Sequence, residues 1–170
     1  MVAGAFVAYL VLATLWWNLG LPAGFSGKGL VLLDLRAGWG PTDVQTLFLS
    51  LGELGRGSYR LFLGIDTLMA VAAALALGPL IAWPLERIRP DKAWVRLPAL
   101  LPWAVCALEL LENVVIHALL DGWPYVDSTL AVVGGTLTLG RLALLGLLPV
   151  ALVSSWLGYG VVKLLARSGG

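Results

Sequence analysis

A chain of 170 residues that is 59% apolar and 12% charged, with a mean hydropathy of +0.91, lies far outside soluble composition. Its net charge of +1 and lack of a basic stripe exclude nucleic acid as a partner. The single Cys106 excludes an internal disulfide and metal sites built on cysteine pairs. The apolar residues run in long stretches, as in an integral membrane protein surrounded by the lipid bilayer. Eight Trp suit a chain with two interfaces to anchor.

Residues 2–21 carry no charge and are long enough to cross a hydrocarbon core of ~30 Å. No Lys or Arg precedes them and no small-x-small cleavage site follows, which favours a retained first span over a signal peptide. Residues 22–59 form a Gly-rich loop. Within it, Pro41-Thr42-Asp43-Val44-Gln45 reads as a helix start, with Thr42 as the cap and Gln45 reaching back. Val44, Leu47, Phe48, Leu51 and Leu54 follow at helical spacing. They predict a short amphipathic helix lying on the membrane surface or folded over the bundle mouth.

Residues 61–83 make a second span interrupted only by Asp66. Arg87, Arg89, Lys92 and Arg96 crowd the turn before a third span at 97–120. After a brief turn, residues 128–140 read as a Gly- and Thr-rich lead-in to a fourth span at 142–164. The expected fold is all-α: an integral membrane four-transmembrane-helix bundle, one domain over residues 1–170. The positive-inside bias places both termini in the cytoplasm, in a bacterial-type inner membrane.

The stretch ALELLENVVIHALL (107–120) sets Glu109, Glu112, Asn113 and His117 into an otherwise apolar span. At 1.5 Å per residue, Glu112 lies ~12 Å and Glu109 ~16 Å below the outer surface, with Asp66 ~8 Å below it. Arg141 is expected at the outer start of the fourth span. Glu109, Asn113 and His117 are four apart and share a face, with Glu112 about 60° to one side. Each ionised group at mid-helix costs roughly 2.5–3.5 kcal/mol. Such groups persist only when paired, hydrated or protonated. Arg141 is the one nearby cation for the carboxylates of Asp66, Glu109 and Glu112, with Arg60 and Arg36 reaching from the loop. Charge balance therefore predicts that at least one carboxyl keeps its proton, and a neutral carboxylic acid is a competent proton donor.

Structural readings stand beside this one. Asp66–Arg141 reads equally as an interhelical ion pair, Asn113 as a hydrogen-bonding link between helices, and His117 as an interfacial residue. A di-iron bundle needs two Glu-x-x-His motifs, and the chain has one His. No nucleophile elbow is present, and Gly134, Gly135 and Gly140 read as close-packing residues rather than a phosphate loop. No metal or cofactor is expected.

The segment LLDLRAGWGPTDVQTLFLSLGELGRGSYRLFLGIDTLM, followed by ALELLENVV, resembles a family of small bacterial four-span membrane proteins. The pattern is Leu-Asp-x-Arg-x-Gly-aromatic, an amphipathic helix, Gly-Arg-x-x-Tyr, an intramembrane Asp and acid-x-x-Glu-Asn. It is carried here by Asp34, Arg36, Gly38, Trp39, Gly55, Arg56, Tyr59, Asp66, Glu109, Glu112 and Asn113. Glu109 stands where the pattern has Asp, and Arg141 where it has Lys. The resemblance covers roughly residues 32–117 and implies that Asp34 and Arg36 belong to the site as part of its lid, without naming a reaction. By analogy of chemistry alone, membrane sterol isomerases and terpene cyclases protonate lipophilic substrates with intramembrane carboxylates.

The expected function is thus binding of a lipophilic small molecule in an acidic pocket, with acid–base isomerisation or cyclisation of a terpenoid- or lipid-like substrate. Glu112 or Glu109 would donate the proton and Asp66 would act as partner base or orienting group. Asn113, Arg141, Asp34, Arg36, Tyr59, Trp39 and His117 would bind substrate or stabilise charge. The alternatives are an accessory subunit of a membrane complex, or a small proton-coupled carrier acting as a homo-oligomer.

Overall fold

Every element among the described residues is helical. The computed structural model describes Val11, Thr14 and residues 31–168, so the expected first span at 2–21 lies outside the described residues apart from Val11 and Thr14. Helix α1 runs Pro41–Ile88, α2 Leu101–Gly122 and α3 Ser128–Ser168, with short 3-10 stretches at Leu33–Leu35 and Ala93–Leu100. Three helices, with α2 extended by the 3-10 stretch before it, are long and apolar enough to cross a membrane.

Helix α1 has two arms broken at Gly52, whose φ of 66° lies in the left-handed region that favours glycine. The short arm begins at Pro41, which has no backbone N–H to leave unpaired at a first turn. Its cap differs from the expected one. Gly40 N–H donates to the Asp43 carboxylate at 2.9 Å, while the Thr42 carbonyl accepts from the Thr46 hydroxyl at 2.8 Å. Asp43 wins because a carboxylate three residues inside the helix accepts from the cap amide and suits the positive end of the helix dipole.

Val44, Leu47, Phe48 and Leu51 are buried against Tyr59, Phe62 and Leu63 of the long arm and Ile116, Leu119 and Leu120 of α2. The amphipathic helix therefore folds over the bundle mouth as a lid. Leu54, expected on the same face, is 87% exposed, because the break at Gly52 comes before it and resets the helical phase.

The largest difference from expectation lies in α3. Residues 128–140 are not a lead-in but the first turns of one continuous helix, started by Asp127, whose Oδ1 accepts from the amides of Thr129 (2.8 Å) and Leu130 (3.1 Å). Glycine costs about 1 kcal/mol in a helix interior. Tertiary packing overrides that penalty here, since a Cβ at Gly134 or Gly135 would collide with Trp39. Arg141 consequently lies ~20 Å along α3 from Ser128, well inside the bundle rather than at the outer start of a span.

Candidate functional site

Arg141 is 8% exposed and organises the polar interior. Its Nη1 donates to both oxygens of Glu109 at 2.7 and 2.6 Å. Its Nε stands 3.0 Å from Glu112 Oε2, a charge contact without hydrogen-bond alignment. Its Nη2 donates to the backbone carbonyl of Asp34, so the guanidinium ties α2 to the lid. The pairing of Asp66 with Arg141 weighed from the sequence does not occur. The deeper placement of Arg141 brings it to the two glutamates instead.

Glu112 is fully buried, and its Oε1 accepts from the Thr138 hydroxyl at 2.6 Å. Thr138 Oγ1 in turn accepts from Trp39 Nε1 at 2.8 Å. On the other flank, the Tyr59 hydroxyl donates to Asp34 Oδ1 at 2.9 Å and accepts from Leu33 N–H at 3.2 Å. The lid is thus fastened through Trp39–Thr138–Glu112, through Tyr59–Asp34, and through Arg141.

Burial raises the Asp34 carboxyl from 3.8 to about 7; the nearby charge of Asp66 adds to the effect, and the Tyr59 hydrogen bond opposes it.

Asp66 stands apart from this fastening. Its Oδ2 accepts from Asn113 Nδ2 at 3.3 Å, and Asn113 also donates to Thr67 Oγ1 at 3.0 Å. Below it, Asp66 and Glu109 border a cavity of about 360 Å³ whose walls include Ala70 and Ala73 of α1, Val105 and Cys106 of α2 and Leu145 of α3. Small side chains on α1 leave this space open, and its size falls in the range of small-molecule sites.

The structure gathers Asp34, Trp39, Tyr59, Asp66, Glu109, Glu112, Asn113 and Arg141 into one region. Arg36 is turned away from Arg141 and pairs with Asp43 at 3.0 Å. Arg60 pairs with Asp121 at 2.9 Å, near the C-terminal end of α2. His117 Nδ1 contacts the Asn113 carbonyl at 2.9 Å, and the ring borders a separate shallow groove with Thr67 and Asp121. Thr138 was missed from the sequence. Its spacing from Ala131, Gly134, Gly135 and Arg141 puts these residues on one face of a helix, a signal hidden by reading the segment as a lead-in to the span.

Among the described residues no group of three or more His, Cys, Asp or Glu is arranged to hold a metal ion. No protein-family model matches this sequence, and neither curated proteins nor solved structures give a match.

Proposed function

We propose that this chain is a four-span integral membrane protein of the inner-membrane type, akin to the small bacterial family it resembles, and that it binds a lipophilic small molecule between α1, α2 and α3. One observation carries the reading: an apolar cavity of about 360 Å³ ends at two carboxyls, Asp66 and Glu109. Asp66 is the group suited to acid–base work on a bound molecule. Its carboxyl accepts from the neutral Asn113 amide, is not paired with Arg141 and borders the cavity, where it can exchange a proton with an alkene or a hydroxyl. Glu109 is held by Arg141 and serves as the electrostatic neighbour, while Glu112 is enclosed behind Thr138 and anchors the lid. In an isomerisation, a protonated Asp66 would add its proton to one alkene carbon, leaving a cation on the other, and the resulting carboxylate would remove a proton from the carbon on the far side of that cation, so that the double bond moves by one position.

Native mass spectrometry on the full-length protein tests the binding reading. Wild type should retain an apolar small molecule that Ala73→Leu, which fills the cavity, does not, at an unchanged melting temperature. Equal retention by both overturns it.

The Glu109–Arg141–Glu112 clamp favours a second reading, in which the protein is an accessory subunit held rigid by its polar core. Under that reading Asp66→Asn and Ala73→Leu leave cellular function intact, while substitutions at Arg141 remove it through instability.

A further inference from the structure

We propose that the cavity selects lipophilic cations, with Asp66 as their counter-charge. The inference rests on the reading that the cavity binds a lipophilic molecule, and it names the chemistry of that molecule's head.

The polar end of the cavity offers the carboxyls of Asp66 and Glu109, and its remaining lining is Ala, Met, Leu, Pro, Val and Cys. Among the described residues, no Lys, Arg or His borders it. The guanidinium of Arg141 is committed to Glu109, Glu112 and the lid carbonyl of Asp34. An anionic head, such as a fatty carboxylate or an isoprenoid phosphate, would meet two acidic groups where charges are weakly screened. A neutral molecule would gain the apolar walls alone. A cation would gain the walls and a charge pair with Asp66.

Asp66 also has a reason to take such a ligand. A carboxylate at this depth persists when it is protonated, hydrated or paired with a cation. The groups facing it are Glu109, Glu112 and Cys106 from α2, Asp34 from the lid and Arg141 behind Glu109 from α3, with His117 beyond Asn113. All but Arg141 and His117 are acidic or neutral. Arg141 is held by Glu109 and Glu112, so a lipophilic cation in the cavity would supply the counter-charge for Asp66. A lipophilic ammonium would also mimic the carbocation that proton addition to an alkene creates, so the same site chemistry serves either capture or catalysis.

Cys106 borders the cavity and is the only cysteine of the chain, which makes it a built-in reporter. The test uses the full-length protein in phosphatidylcholine nanodiscs, alkylated with N-ethylmaleimide and followed by intact mass. Decyltrimethylammonium, decanol and decanoate are compared as protectants at equal concentration. At pH 7.5 the ammonium should slow alkylation at least about tenfold more than decanoate does, the scale expected for a desolvated charge pair. Asp66→Asn should remove the preference while leaving protection by decanol; where that variant does not fold, the ranking of the three protectants on wild type carries the test. Equal protection by decanol and the ammonium, or best protection by decanoate, overturns cation selection and leaves the cavity as a site for neutral lipophiles. No alkylation without a probe, or no protection by any of the three, overturns the cavity reading itself.

Discussion

The half of the molecule above Asp66 buries Phe48, Tyr59, Phe62 and Ile116 completely, whereas the half below buries mainly alanines such as Ala72, Ala74 and Ala76. Above, aromatic rings meet edge to face, as Phe48 does with Tyr59 and with Trp123 at centroid distances of 6.5 and 5.8 Å. Below, α3 exposes Leu147, Val150, Val153, Leu157 and Leu164, a surface suited to lipid. The upper half resembles a water-soluble core that encloses a charged network. The lower half holds the cavity, and Trp83, Trp156 and Tyr159 close on one another further down. Asp66 and Glu109 mark the boundary, with fastened polar groups on one side and the cavity on the other.

The hardest way to break the upper half is to remove its cation. Arg141→Met leaves Glu109 and Glu112 buried without a counter-charge and the Asp34 carbonyl without its donor. We expect a loss of about 3–5 kcal/mol, read as a lower melting temperature in detergent, with faster proteolysis of residues 33–51.

Acidity acts on the same region. Because burial lifts Asp34 from 3.8 to about 7, the closed lid holds its proton more tightly than the open chain does. Lid stability is therefore greatest below about pH 4 and declines as pH rises to about 7, by at most about 1.4 kcal/mol per unit. Hydrogen exchange of residues 33–51 measured from pH 4 to 8, corrected for intrinsic rates, should show this slope, and Asp34→Asn should flatten it.

Gly135→Ala places a methyl against the Trp39 backbone and should cost about 1–3 kcal/mol, loosening the lid while leaving the cavity residues unchanged. Thr138→Val removes the donor to Glu112 and the acceptor for Trp39, for about 1–3 kcal/mol on the same exchange measurement. Ala73→Leu is the counterpart in the lower half. A residue added to open space should shift the melting temperature least of all, although on the proposed reading it would abolish binding.

Much of the upper half was readable from residue order. The spacing of Val44, Leu47, Phe48 and Leu51 announced a helix with one apolar face, and Glu109 with Glu112 announced a polar wall on the span at 97–120. The partner of that wall was misread because Gly134, Gly135 and Thr138 have low helix propensity. Their role as a seat for Trp39 depends on a residue about a hundred positions away. The cavity was not readable at all. Ala70, Ala73 and Ala74 look like any apolar span until their neighbours are known, and only then does their missing volume become a space.

Arg141 grips the lid through the Asp34 carbonyl and the cavity end through Glu109 with a single planar group. The position of the lid and the geometry of the cavity end are therefore coupled through one side chain. Any ligand that draws Glu109 or Asp66 toward itself alters the hold on Asp34, and any force that lifts the lid alters the charge the ligand meets. Thermodynamic reciprocity requires the two effects to be equal in factor. On the proposed binding reading, ligand affinity would report the position of a flap.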